Sequence, residues 1–240
     1  MKTKIFRAEE RGHADYGWLQ ANYSFSFANY INPEKENFGA LRVLNDDIIK
    51  GGMGFGEHPH QNMEIITIPL QGTLKHKDSM SNTWIPLETG EVQVMSAGTG
   101  IMHAEKNNSA NESLNLFQIW IIPEKMGVTP AYDQMKFDAS QRKNKVQTLV
   151  DSYAADSENH LQIHQDTRIS RIDLDKGNSF DYHLKSPNHG VYLLLITGEL
   201  NVEEWELKKR DAIGLWQGDH FSVKARESSE ILLIEVPMVF

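Results

Sequence analysis

Apolar residues along this chain recur at every second position in short runs, and turn-forming residues separate the runs. Between residues 11 and 31, small or polar residues alternate with Trp18, Tyr23, Phe25 and Phe27, which predicts a strand because alternate side chains of extended backbone leave opposite faces. Asn32-Pro33 opens a loop. Leu41 to Leu44 is a short apolar run, and Asn45-Asp46-Asp47 after it has the composition of a turn. Ile65 to Leu70, Gln71-Gly72 and Thr73 to Asp78 predict a strand, a tight turn and a second strand. Trp84 to Gly90, Glu91 to Met95 and Leu114 to Ile122 continue the pattern at similar spacing. Short strands with regular turn signals predict an antiparallel sandwich or barrel rather than alternating βα units.

Residues 124 to 145 are polar, are interrupted by Gly127 and Pro130, and read as a linker. A second set of strands follows: Val146–Val150, Leu161–Ile163, Arg168–Leu174, Val191–Ile196 and Glu230–Pro237. A weak internal repeat relates the two sets. Pro69 to Lys75 resembles Ile196 to Asn201 around its glycine, and Gly90 to Gly98 resembles Arg210 to Gly218. The expectation is two similar domains, 1–135 and 136–240.

Composition narrows the possibilities. At 240 residues and 40% apolar content the chain has enough material for packed cores. A net charge of -9 argues against direct binding to nucleic acid or to an anionic membrane. The start of the chain lacks the apolar core of a signal peptide, so the expected location is the cytoplasm. Cysteine is absent, which leaves His, Asp, Glu and backbone oxygen to hold any metal.

Two segments carry the candidate chemistry. The first runs from Gly52 to Glu64 and contains His58 and His60; the second runs from Gly98 to Asn107 and contains His103 and Glu105. Each pair is spaced i, i+2, so on a strand both side chains share a face and four donors converge. The glycines at 51, 52, 54 and 56 do not make a phosphate loop, because no Lys-Ser/Thr and no helix follow. By strand parity Glu64 also points inward, and it is the rival carboxylate. Aligning the repeats places Leu184 and Ser186 opposite His58 and His60, and Val223 and Ala225 opposite His103 and Glu105, so the second domain has the frame without the ligands. His76, His183, His189 and His220 read as surface or hydrogen-bonding residues, and the i, i+4 pair His160 and His164 as a weak second metal candidate.

The joint spacing resembles the two signature motifs of the cupin superfamily, small jelly-roll barrels that hold one metal inside. Gly12 to Gln20 with Phe25-Ser-Phe27, Glu57-His-Pro-His60 and Gly98 to Glu105 are similar to the characteristic segments of the pirin family. That resemblance implies an all-β bicupin with few short helices, a metal-binding N-terminal barrel and a C-terminal barrel without ligands. It implies His58, His60, His103 and Glu105 as metal ligands. It further implies one divalent ion, Fe(II) by family, while the donor set also suits nickel, manganese, cobalt, copper or zinc.

The activity so implied is dioxygenation of a flavonol such as quercetin by dioxygen, with Glu105 taking the substrate hydroxyl proton. Met53, Phe55 and Met102 are candidate wall residues. A second reading is a redox-sensing regulator whose iron state alters affinity for a protein partner. An isomerase or sugar-binding cupin ranks below both.

Overall fold

Strands buried on both faces and strands buried on one face have different sequence patterns, and this chain contains both. Ile65 to Pro69, Val191 to Leu195 and Ile231 to Val236 are buried at every position, whereas Ile101 to Asn107 and His220 to Ala225 alternate buried with more exposed residues. The first kind builds two large sheets. The second builds two small ones.

The computed structural model describes residues 1–155 and 157–239. Its first strands are β1 (Lys2–Phe6), β2 (Gly12–Asp15), β3 (Leu19–Tyr23), β4 (Leu41–Ile49), β5 (Gly54–His60) and β6 (Glu64–Gln71). They are followed by β7 (Thr73–Asp78), β8 (Ile85–Glu88), β9 (Glu91–Ser96), β10 (Ile101–Asn107), β11 (Leu114–Ile121) and β12 (Ala131–Lys136). The remainder are β13 (Gln147–Ser152), β14 (Leu161–Ile163), β15 (Arg168–Leu174), β16 (Ser179–His183) and β17 (His189–Thr197). Last come β18 (Glu199–Val202), β19 (Trp205–Lys208), β20 (Ala212–Trp216), β21 (His220–Ala225) and β22 (Ser229–Pro237). Single 3-10 turns at Ala8–Glu10 and Ala139–Arg142 are the helical elements among the described residues. No helix there is long and apolar enough to cross a membrane.

The fold is all-β and consists of two cupin barrels. In the first, a seven-stranded sheet ordered β12-β9-β6-β11-β4-β3-β2 faces a four-stranded sheet ordered β5-β10-β7-β8. In the second, the orders are β1-β20-β17-β22-β15-β13-β14 and β16-β21-β18-β19. The large sheets pack against each other through one apolar core that includes Ile66, Phe117 and Ile119 from the first and Tyr192, Leu194 and Ile234 from the second. This shared layer explains the continuous apolar runs: one face of each large sheet lines its own barrel, and the other meets its counterpart.

Three local expectations are corrected. Asn45-Asp46-Asp47 is not a turn, because β4 continues through it to Ile49. Asp46 is accommodated by Arg210 at 2.7 Å and Asn115 at 2.9 Å, partners remote in sequence that a local reading cannot supply. The polar segment 124–145 is not simply a linker, since β12 inside it pairs along β9 at the edge of the first large sheet. The chain also begins in the other barrel's sheet, where β1 pairs with β20.

The repeat is real and keeps its register at the aligned glycines, but its extension to β5 and β10 is two residues off. Leu74 of β7 and Leu200 of β18 hold equivalent places, paired to Leu87 and Leu207 on the neighbouring outer strands. Leu74 stands opposite Asn107 and Leu200 opposite Ala225, so Glu105 matches Val223 and His103 matches Phe221. Across the next pair, His58 matches Tyr182, and by the same alignment His60 matches Leu184. Tyr182 stacks on Phe221 with ring centroids 5.4 Å apart, within a core that also holds Val202 and Val223. Where the first barrel gathers imidazoles, the second is packed with aromatic and aliphatic side chains.

Candidate metal centre

A bulge in β5 aims the first two histidines. From Phe55 to His58 the strand uses three steps where β10 uses two, from Glu105 to His103, so Gly56 and Glu57, both exposed, stand together opposite Ala104. In a regular strand this three-residue spacing would put Phe55 and the histidines on opposite faces. With the bulge, Phe55, His58 and His60 all line the same cavity. Gly54 permits the close approach of β5 to β10, because a Cβ there would run into the Glu105 carbonyl oxygen.

The bulge also orients a ring. His58 Nδ1 donates to the Gly56 carbonyl at 2.8 Å, and the tautomer that makes this bond leaves Nε2 as an electron-pair donor. That Nε2 lies 3.0 Å from His103 Nε2. The ligand atoms of His58, His60 and His103 all fall within 4.8 Å of one another. Burial and then His58 push His60 down to about 4, while burial and then His58, His60 and His76 push His103 down to about 2. Both rings are therefore neutral near pH 7 and have lone pairs available.

Glu105 is fully enclosed, and burial pushes its carboxyl up to about 7 against the opposing hydrogen bonds from Gln118 and Thr67. Its Oε2 accepts from Gln118 Nε2 at 3.0 Å, Gln118 Oε1 accepts from Thr67 at 3.3 Å, and Gln93 reaches Thr67 at 3.5 Å. Glu105 Oε1 and His103 Nδ1 are buried without hydrogen-bond partners among the described residues. Imidazole nitrogens with free lone pairs and a buried carboxyl with an unpaired oxygen are a donor set that suits a divalent ion. The residues present fit such an ion. The cavity beside them has a volume of about 520 Å³ and is walled mainly by Trp18, Leu19, Tyr23, Phe27, Phe55 and Trp120.

Comparison with known proteins identifies the family. The family model described as pirin matches residues 5–121, and that described as quercetinase C-terminal cupin domain matches residues 149–236. The chain is 43% identical over 233 residues to a quercetin 2,3-dioxygenase of Escherichia coli K12, covering 97% of this chain and 98% of that one. It is 38% identical to a pirin-like protein of Caulobacter vibrioides, covering 95% and 96%. The chain belongs to the pirin family. The crystal structure of the bacterial pirin YhhW from Escherichia coli in complex with nickel(II) superposes with a TM-score of 0.92 at 39% identity, covering 99% of this chain and 100% of that one.

The pirin fold separates the two rival carboxylates. Glu64 does not point inward: it shares parity on β6 with Ile66 and Ile68, which belong to the core between the large sheets. Its Oε2 accepts from Ser96 Oγ at 2.6 Å, and it joins none of the metal-competent groups. The inward expectation fails because β5 and β6 lie in different sheets, and the chain turns between them at Asn62, whose φ is +50°. Of the candidate wall residues, Phe55 lines the cavity, whereas Met53 and Met102 do not and are partly exposed.

Three residues near the site were not singled out for it by sequence reasoning. His76 is fully buried, its Nε2 lies 3.1 Å from Asp78 Oδ2, and its ring stacks on Tyr132 at 4.7 Å. It forms a second close group with His103 and Glu105, but its Nε2 is engaged by Asp78. Alternation along β7, with Leu74, His76 and Asp78 on one face, was the available signal. Asp47 also lines the cavity, with its carboxyl pushed up to about 8 by burial first and then by Asp46 and Glu105. Gln118 holds Glu105. Gln118→Leu keeps the side-chain volume and removes that hydrogen bond, so metal affinity by competitive chelator titration is expected to fall by about 10–100-fold with the fold intact.

Proposed function

We propose that this pirin is a metal-dependent flavonol dioxygenase of the quercetin 2,3-dioxygenase type, with His58, His60, His103 and Glu105 holding one divalent ion in the first barrel. The observation that carries this reading is a cavity of about 520 Å³, a volume suited to a small aromatic molecule, whose wall holds His58, His60, His103 and Glu105: the three imidazoles offer ligand atoms within 4.8 Å of one another, and the enclosed Glu105 carboxyl lies within the same distance of His103. The names of its relatives support the substrate class. The donor set suits Fe(II), and nickel is the ion in the related crystal structure.

A bound ion supplies Lewis acidity toward the substrate hydroxyl and a centre at which dioxygen is activated. The protein's own residues do the rest. Trp18, Tyr23, Phe55 and Trp120 give the flat substrate an apolar slot and exclude water from it. Glu105 accepts the hydroxyl proton, with Gln118 fixing one of its oxygens. The electron-rich ring is then open to dioxygen, and ring cleavage releases carbon monoxide.

The test is an aerobic assay with quercetin. Metal-dependent loss of flavonol absorbance with one equivalent of carbon monoxide supports the enzyme. Tight metal binding with no turnover of any flavonol contradicts it and favours the regulatory reading.

A further inference from the structure

Beyond His103, Glu105 and the Trp120 indole N–H, two side chains of the cavity wall carry a buried oxygen without a partner among the described residues. On β4, Asn45 and Asp47 face into the first barrel, while Asp46 between them faces out to Arg210, Arg11 and Asn115. Asn45 is 3% exposed and Asp47 is 4% exposed. The Oδ1 atom of each is buried and has no hydrogen-bond partner among the described residues, although both side chains line the cavity. Buried polar groups are nearly always paired, so two adjacent unpaired oxygens in one wall point to a ligand that pairs them. Their position is defined. Asn45 stands across the strand pair from Gln118, the residue that holds Glu105, and Asp47 from Leu116. The surrounding wall is apolar, with Leu19, Ala21, Tyr23 and Phe55.

We propose that Asn45 and Asp47 are the recognition pair for ring hydroxyl groups of the substrate, so that this cavity selects polyhydroxylated aromatic compounds over otherwise identical bare ones. The inference rests on the dioxygenase reading for the place of the substrate. It adds the feature that the substrate must present. An apolar slot alone discriminates weakly against a missing hydroxyl, whereas a buried acceptor that loses its partner discriminates strongly. Asp47 and Asn45 therefore contribute to selection rather than to the reaction itself.

The experiment compares quercetin with 3-hydroxyflavone, which keeps the reacting hydroxyl and lacks the others. Binding is measured anaerobically by calorimetry on nickel-loaded protein, so that it does not depend on turnover. Wild type is expected to bind quercetin at least about 10-fold more tightly than 3-hydroxyflavone. Asp47→Leu and Asn45→Leu are expected to bring the two affinities together chiefly by weakening quercetin, and Asp47→Asn, which keeps an acceptor, to restore the preference. Equal affinities in wild type overturn the proposal, as does an equal loss for both flavonols in Asp47→Leu with no rescue by Asp47→Asn. Aerobic turnover of the same two compounds is scored separately: retained preference in binding with no turnover of either leaves the recognition pair standing and removes the dioxygenase.

Discussion

His103→Ala is expected to fold and to bind essentially no metal. His103 is the centre of the imidazole group, with ring centroids 4.4 Å from His58 and 4.8 Å from His60, and its strand is the one that pairs with both β5 and β7. Removing it takes away one of the four proposed ligands and the ring that His58 Nε2 faces. The loss should exceed the roughly 100-fold that removal of a supporting hydrogen bond costs a metal site. The fold should survive because the apolar core between the large sheets does not include His103. Three measurements check this: metal content falls from one equivalent to near zero, the metal-induced rise in melting temperature disappears, and quercetin turnover is lost. Circular dichroism unchanged from wild type separates loss of the site from loss of the fold.

The second large effect is a contrast between two glutamates. Burial pushes both Glu64 and Glu105 up to about 7, so their acidity does not distinguish them. Their faces do. Glu105→Gln is expected to lower metal affinity by more than about 100-fold, and Glu64→Gln to leave it nearly unchanged. The pH dependence follows from the direction of the shift. A carboxyl raised to about 7 keeps its proton in the folded, metal-free protein at pH 6 and has mostly lost it at pH 8. A cation bound at Glu105 must expel that proton at pH 6 and not at pH 8, so affinity rises with pH up to about 7 and then levels. Calorimetry in buffers of different ionisation enthalpy should find about one more proton released by wild type than by Glu105→Gln at pH 6, and nearly equal release at pH 8. Glu64→Gln should release protons as wild type does.

Much of this was legible in the sequence because the small sheets obey the period of an extended strand. His103 and Glu105 alternate with exposed residues along β10, so their shared face could be read directly. His58 and His60 share a face for the same reason, but the bulge that brings Phe55 round to join them has no signature beyond the glycines at 54 and 56. The large sheets were harder. Both faces of β6 are buried, so alternation does not say which face belongs to the barrel, and Glu64 was placed on the wrong side. Asn45-Asp46-Asp47 has turn composition yet lies in a central stretch of strand, because Arg210 and Asn115 satisfy Asp46 from afar while Asn45 and Asp47 face a cavity. The repeat was visible in its glycines, and only its extension to β5 and β10 slipped by two residues. A slip of two preserves strand parity, so the pattern of faces could not reveal it.

The most direct test of the central claim is anomalous diffraction from crystals of the nickel-loaded protein. One ordered metal peak per chain is predicted in the first barrel, at about 2.0–2.2 Å from one nitrogen each of His58, His60 and His103 and from a Glu105 oxygen. A peak bound by Glu64, a peak in the second barrel, or a site that leaves Glu105 uncoordinated would contradict the account.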